Sequence, residues 1–560
     1  MTVTPNPPSI AASSAMSTNF LSGPAPPTAY LALAVTFAYV VYRLLARDGR
    51  LKHLPPGPKG LPIIGSMVEM SDIDSMPKRA AEWAREYGEI FHTKVGLEHY
   101  IWLSSPQAVK DLMDKRGNIY SSRAHAPMIN LVSNDNRVNF MPYNDKWRKV
   151  RSLLHAALNL ETSVNYKPVQ DFETKQALWE LLHVKDDYEF YEVNRRYSAS
   201  VIMLVTYGRR IVSWADPLYA EIFTIIRHFT LASAPGVWIA DTVPSLAKYI
   251  PSRLLQNWKN IGRKWHEEDA KIYMRLYNDC LEKIEAGTAP DCFIKDIETI
   301  GTRKNNVGPE LAAYTAGALI EAGSDATTTA LNNVVLACLL FPDVVEKAHE
   351  ELDRVIGKDR MPTFEDEPHL PYIRGVAKET LRWRATTKVG TCHATTKDDW
   401  YKGYFIPKGA VVVLNWWALH YDSERFKDPD RFDPSRYMDD PLTPAEALNS
   451  PDPMARGHFT FGAGRRYCPG IHVAHNSLFI NIARILWAYN IQKSVDANGN
   501  VLEPPLNAEP GFLLTPVKFP CHFEIRSQKH ADIVEQTWAE AQKEGIDMRT
   551  SRQNAKIEQV

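Results

Sequence analysis

The chain has 560 residues (63.5 kDa), 44% apolar and 23% charged, an ordinary globular composition with ample material for a large core. Lysine plus arginine (65) nearly equal aspartate plus glutamate (66), and no local basic patch stands out. The electrostatic footprint of phosphate-backbone binding is therefore missing, and no nucleic-acid partner is expected. Six cysteines (Cys280, Cys292, Cys338, Cys392, Cys468 and Cys521) are too few and too irregularly spaced for a disulfide framework or paired zinc knuckles, which points to reducing surroundings.

From Thr28 to Tyr42 the chain reads TAYLALAVTFAYVVY without a charge, and Leu44, Leu45 and Ala46 extend the run because Arg43 can snorkel. Residues 28–46 thus reach the lower limit of about 17 to 20 residues for a membrane span. Residues 1–27 hold no lysine or arginine, unlike the basic start of a cleaved signal. Arg43, Arg47, Arg50, Lys52 and Lys59 follow the span, opposed only by Asp48. The positive-inside bias then puts a short luminal N-terminus at 1–27 and everything after the span in the cytosol. Residues 47–62 form a basic, proline-rich hinge ending in Leu54-Pro55-Pro56-Gly57-Pro58-Lys59-Gly60-Leu61-Pro62, which no helix can cross; a stiff spacer and a plain linker both fit it.

The remainder is one large body, 63–528, with helical patterning over long runs such as Ser252 to Gly287 and Asp343 to Gly357. Strand-like stretches are short: His92 to Val95 with Tyr100 to Leu103, Gly403 to Ile406, Ala410 to Leu414, and His522 to Ile525. The fold class is mainly α with a small β region. Residues 529–560 read as a helical extension, periodic around Ile533, Val534, Trp538 and Ala541, and then a polar tail. The longest helix is predicted from Pro309, after Gly308, to Leu340, before Pro342. Its middle, Glu321-Ala322-Gly323-Ser324-Asp325-Ala326-Thr327-Thr328-Thr329, goes against helix propensity. Such a cluster marks either a buried helix opened to receive a ligand or a solvated patch on a surface helix.

The most informative segment is Phe459-Thr460-Phe461-Gly462-Ala463-Gly464-Arg465-Arg466-Tyr467-Cys468-Pro469-Gly470, ahead of an apolar helical run from Ile471 to Tyr489. A cysteine on a glycine-bent loop at a helix N-terminus, with arginines nearby, is expected to favour thiolate. Four readings compete: a dinucleotide loop lacking its third glycine, a zinc site with His472 and His475, a nucleophile with a histidine base, and an axial thiolate ligand of haem.

Phe461-x-x-Gly464-x-Arg466-x-Cys468-x-Gly470 resembles the haem-ligand signature of the cytochrome P450 family at every defining position. Glu379-Thr380-Leu381-Arg382 resembles the family's Glu-x-x-Arg helix, and Pro429-Asp430-Arg431-Phe432 its later Pro-Glu-Arg-Phe segment with Asp for Glu. The long-helix cluster is similar to the oxygen-binding motif, and the apolar span with its Pro-Pro-Gly-Pro hinge to a microsomal member. The resemblance covers nearly the whole chain.

This resemblance implies a cytochrome P450-like fold with an N-terminal transmembrane helix, and haem b as the cofactor, its iron held by the Cys468 thiolate. It also implies that Trp147, Arg151, Arg466 and His393 meet the propionates, that Phe461 shields the ligand loop, and that Gly464 lets it bend so that peptide N–H groups face sulfur. Glu379, Arg382 and Arg431 are implied to form a structural triad. On the distal side, by the same resemblance, Gly323 leaves room for oxygen, and Asp325 with Thr327 serves proton delivery. The family places threonine directly after the acid, but Ala326 stands there; one residue turns a side chain about 100° around the helix, so Thr327 replaces it only through a local bulge. Arg384-Ala385 also departs from a proline common after the Glu-x-x-Arg helix. The implied activity is insertion of one oxygen atom into a small, largely apolar organic substrate, with electrons from an NADPH-cytochrome P450 reductase. The alternative is dehydration, isomerisation or oxidative coupling on the same fold. Gly403 to Gly409 and Cys468 to His475 look like filamentous-fungal members, many of which tailor secondary metabolites. The implied location is the endoplasmic reticulum membrane, single-pass among its lipids, with the body cytosolic.

Overall fold

Proline punctuates the chain where helices begin. Helices Pro217–Ser233, Pro309–Leu340, Pro342–Val355 and Pro371–Trp383 each open on one, where the missing N–H would have had no partner in any case. The computed structural model describes residues 48–546 other than 73, 235, 243, 248 and 299–306. The expected span at 28–46, the luminal N-terminus expected before it and the tail from 547 lie outside the described residues. Among those described, no single helix is long and apolar enough to cross a membrane.

Residues Met1–Leu54 and Pro55–Val560 are separate units. The described part of the first carries the short 3-10 helix Gly49–His53, capped by Asp48. From Pro55 on, the stretch read as a hinge belongs to the second unit and packs on its sheet: the Pro56 carbonyl accepts the His92 N–H at 2.8 Å, and Ser66 N–H donates to the Lys94 carbonyl at 2.6 Å.

Strands β1 (Ile90–Val95) and β2 (Glu98–Leu103) pair antiparallel, while β3 (His393–Ala394) runs antiparallel to β6 (Val411–Leu414), which lies parallel to β2. The sheet order is β1-β2-β6-β3. A hairpin of β4 (Asp399–Tyr401) and β5 (Tyr404–Ile406) and a ribbon of β7 (Tyr489–Lys493) and β8 (Cys521–Ile525) complete the β structure. The run predicted as helix to Tyr489 ends at Ala488, and β7 begins in the next residue.

The long helix is central. Its residues from Ala312 to Glu321 and from Thr328 to Leu339 are all buried, against helices Phe190–Tyr207, Trp258–Glu285 and Ile471–Ala488. A helix apolar on every side belongs inside a body of helices. The final helix, Gln528–Glu544, docks Trp538 against Phe172 and Trp179 of helix Lys167–Leu182.

Glu379 and Arg382 meet in a fully buried bidentate pair at 2.7 Å. Burial opposes the arginine's charge, yet its bonds to Glu379 hold its pKa above the ordinary value. Arg382 also donates to the carbonyls of His420 and Arg431, and Glu379 accepts from Asp433 N–H. The expected third member is corrected. The Arg431 guanidinium turns outward to Asp343, and Arg436 contacts Glu379 at 3.3 Å in its place. Arg431 contributes only its carbonyl, because the chain reverses between Asp428 and Asp433. Arg431→Ala is expected to cost less than about 1 kcal/mol. Arg382→Ala, which strands a buried carboxylate, is expected to cost about 3 to 5 kcal/mol. Denaturant titration of both variants measures the difference.

Candidate active site

Cys468 sits between the 3-10 turn Gly464–Arg466 and helix Ile471–Ala488, and its N–H donates to the Phe461 carbonyl at 2.8 Å. The loop is locked from outside. Gly464 has φ +62°, and a Cβ there would lie 2.2 Å from the Met113 carbonyl oxygen. Its N–H donates to Asp114 at 2.7 Å, and Asp114 also pairs with Arg456 at 2.6 Å. Gly464 thus supplies the left-handed turn and the close approach to Met113, its own N–H serves Asp114, and the peptide N–H that bears on the sulfur is that of Gly470. Phe461 is half-buried and packs against His458.

The electrostatics at sulfur also differ from expectation. Burial pushes the Cys468 thiol above its ordinary pKa, against the Gly470 N–H and the Arg151 charge. Arg465 bonds to the Tyr143 hydroxyl, and Arg466 points away to the carbonyls of Ser121, Val138 and Met141. Burial thus disfavours the bare Cys468 anion, and a cation on the sulfur would offset that cost. His475 bonds to Glu367 at 2.6 Å, and among the described residues no group of three or more His, Cys, Asp or Glu could hold a metal ion; the zinc reading finds no support.

Around the loop the body gathers positive charge. Arg466 lies over the Trp147 ring at 4.2 Å, Arg151 over Tyr467 at 4.7 Å, and Arg123 donates to the carbonyls of Asn139, Thr391 and Cys392. Trp147 and Arg151 are one turn apart on helix Asp145–Leu158. Burial disfavours the charge of all three arginines, and Arg123 and Arg151 further disfavour that of Arg466. Among the described residues none of the three pairs with a carboxylate. His393 is buried beside them on β3; its Nδ1 must carry the proton, because it donates to the Tyr120 carbonyl at 2.9 Å. Burial and then Arg123 keep this imidazole neutral, its pKa far below ordinary. The buried Ser121 Oγ has no partner.

On the long helix, Ala322 is exposed and Ala326, one turn on, half-exposed, between stretches that are otherwise buried. The helix is α throughout Pro309–Leu340, so no bulge carries Thr327 to the place of Ala326. Thr328 bonds back to the Ser324 carbonyl at 2.7 Å, and Thr329 meets Thr515 at 2.8 Å. Gly323 lets helix Phe190–Tyr207 come close: a Cβ there would lie 2.7 Å from Ile202. Asp325 is largely buried, which raises its pKa, with the Arg195 charge opposing.

A planar, dianionic haem with a thiolate ligand fits this set. It would meet a cysteine whose bare anion burial disfavours, three half-buried guanidinium groups without a carboxylate, an orphaned hydroxyl and an open helix face. Arg123, Arg195 and Asp114 were not legible as site residues, since each acts across a long sequence gap with no local signature. At Gly462, φ is +75° but the nearest atom to a Cβ is 3.8 Å away. Gly462→Ala should therefore cost about 1 kcal/mol of backbone strain. Gly464→Ala should cost several-fold more and lower the haem content of purified protein, as thermal denaturation and the haem-to-protein absorbance ratio will show.

The cytochrome P450 family model matches residues 55–523. The chain is 65% identical over 517 residues to the cytochrome P450 monooxygenase verL of Clonostachys rogersoniana, covering 92% of this chain and 95% of that protein. It is 38% identical over 512 residues to the cytochrome P450 monooxygenase virE of Hypocrea virens, covering 90% and 91%. A zebrafish cytochrome P450 solved with abiraterone superposes with a TM-score of 0.63 at 20% identity, over 80% of this chain and all of that one, which supports the fold. With a thiolate loop, a cation-rich rim and relatives that match almost end to end, the chain belongs to the cytochrome P450 family.

Proposed function

We propose that this protein is a haem-thiolate monooxygenase that inserts one oxygen atom of O2 into a largely apolar organic substrate, with electrons from an NADPH-dependent reductase. The observation that carries this reading is Cys468 on its locked loop beside three half-buried, carboxylate-free arginines. Haem, when bound, supplies the oxidising chemistry. Cys468 would hold its iron; Trp147, Arg151, Arg466 and Arg123 would meet its propionates with N–H donors and charge. Phe461 and His458 keep water from the ligand loop.

Asp325 holds a proton to higher pH than an exposed carboxyl does, because burial outweighs Arg195. It is the proton donor of the distal side. With the helix unbroken, no hydroxyl stands at Ala326, so a hydroxyl of water or substrate must carry the proton onward. That same observation supports a second reading, in which the protein dehydrates, isomerises or couples its substrate without net oxygen insertion.

We place the protein in the endoplasmic reticulum membrane through residues 28–46, with the body cytosolic, and infer a role in fungal secondary metabolism. Exposed apolar side chains support the membrane side: Leu61, Ile63 and Val68 near the start of the body, and Val237, Ile239 and Leu254 after helix Pro217–Ser233. Gly236 approaches Ser71, so the two groups are neighbours.

Cys468→Ser is expected to lose the thiolate-type spectrum of the reduced carbon monoxide complex. Product formed under 18O2 is expected to carry one labelled oxygen; unlabelled product selects the second reading. Asp325→Asn should lower kcat about 10²-fold. Wild-type kcat should fall as pH rises through the raised pKa of Asp325, and the variant should lose that limb.

A further inference from the structure

Arg137 is 2% exposed and lies at the head of a loop whose carbonyls are already occupied at the haem edge. Arg466 takes the carbonyls of Val138 and Met141, and Arg123 takes that of Asn139. The loop backbone is thereby pinned beside the cysteine turn, while the Arg137 side chain reaches the long helix. There its Nε donates to Glu321 at 2.8 Å and its Nη2 to Asp269 at 2.8 Å. Tyr273 also donates to Glu321, and His228 pairs with the other oxygen of Asp269 at 2.7 Å. Glu321 directly precedes Ala322, the exposed residue on the open face of the helix.

One donor is left over. Arg137 Nη1 is buried and has no partner. In a planar guanidinium with Nε and Nη2 on the carboxylates, Nη1 occupies the opposite edge. The guanidinium stands 5.7 Å from the Phe229 ring, which neighbours Phe140 at 6.2 Å and Phe512 at 6.5 Å. All three phenylalanines are only half-buried. A buried, unpaired N–H at the border of an aromatic, incompletely covered surface has the composition of a ligand pocket: mostly apolar walls and one placed polar group.

We propose that Arg137 determines substrate specificity by donating its free Nη1–H to a neutral carbonyl oxygen on an apolar ring system that packs against Phe140, Phe229 and Phe512. The carbonyl is neutral because Glu321 and Asp269 already lie against the guanidinium and the rest of the surface is aromatic, so nothing is left to balance an added anion. The neighbouring network makes Arg137 a rigid donor, already desolvated before the ligand arrives, so little ordering is lost on binding. This inference rests on the haem-thiolate reading, because the loop is placed through the arginines of the haem edge.

The test uses haem-loaded protein that first shows the thiolate-type carbon monoxide spectrum; failure at that step counts against the haem-thiolate reading and not against Arg137. 1-Tetralone and tetralin, which share a ring frame and differ by one carbonyl, are titrated by the shift of the haem absorption band. Wild-type protein is expected to bind the ketone about tenfold or more tightly than the hydrocarbon. The infrared carbonyl stretch of bound 1-tetralone is expected at lower wavenumber than in an aprotic solvent. Arg137→Lys keeps a cation between the carboxylates and should abolish the preference while leaving tetralin affinity unchanged. Should that variant yield no haem protein, R137Q/E321Q, which removes one charge of each sign, takes its place with the same expectation. Equal binding of the two probes, an unshifted carbonyl stretch, or a preference retained in the variant overturns the proposal.

Discussion

Two half-buried guanidinium groups, Arg123 and Arg466, organise this site. Between them they hold the carbonyls of Ser121, Val138, Asn139, Met141, Thr391 and Cys392, so three segments distant in sequence converge on one rim. Neutral carbonyls satisfy the N–H groups but do not cancel the charge. Partly desolvated positive charge without a carboxylate beside it favours an anion brought from outside, which makes the rim a selector of ligand charge. The same arrangement pins the Arg137 loop, whose guanidinium reaches Glu321 of the long helix.

Features whose partners lie close in sequence were legible. The long helix, its proline start, the Glu379–Arg382 pair at one helical turn and the cysteine turn with its glycines all arise from local geometry. The third arginine beside Glu379 was not legible. Arg431 and Arg436 lie within five residues of each other, and which one reaches the carboxylate depends on how the chain turns between Asp428 and Asp433. Likewise no local pattern announces that Gly464 faces Met113, or that Asp114 receives its N–H from 350 residues away. Strand β7 was masked because Tyr489 continues an apolar run that serves helix and strand equally well.

Gly323 shows how one residue type can answer two demands. A glycine inside a buried helix permits either a ligand or a neighbouring helix to come near, and sequence alone does not separate them. Here the neighbour is Ile202, and the open face belongs to Ala322 and Ala326. The α geometry of the helix, with its carbonyls kept in i to i−4 bonds, leaves the distal side without a hydroxyl at the alanine position. Proton supply therefore falls on Asp325 and on whatever hydroxyl the bound molecules contribute.

The terminal helix closes a seam that the rest of the body leaves apolar. Trp179 and Trp538 lie 6.4 Å apart there, and the Trp179 indole donates to Glu535. Two indoles in such proximity are exciton-coupled chromophores. Their ultraviolet dichroism is a built-in optical gauge of whether the C-terminal segment is seated.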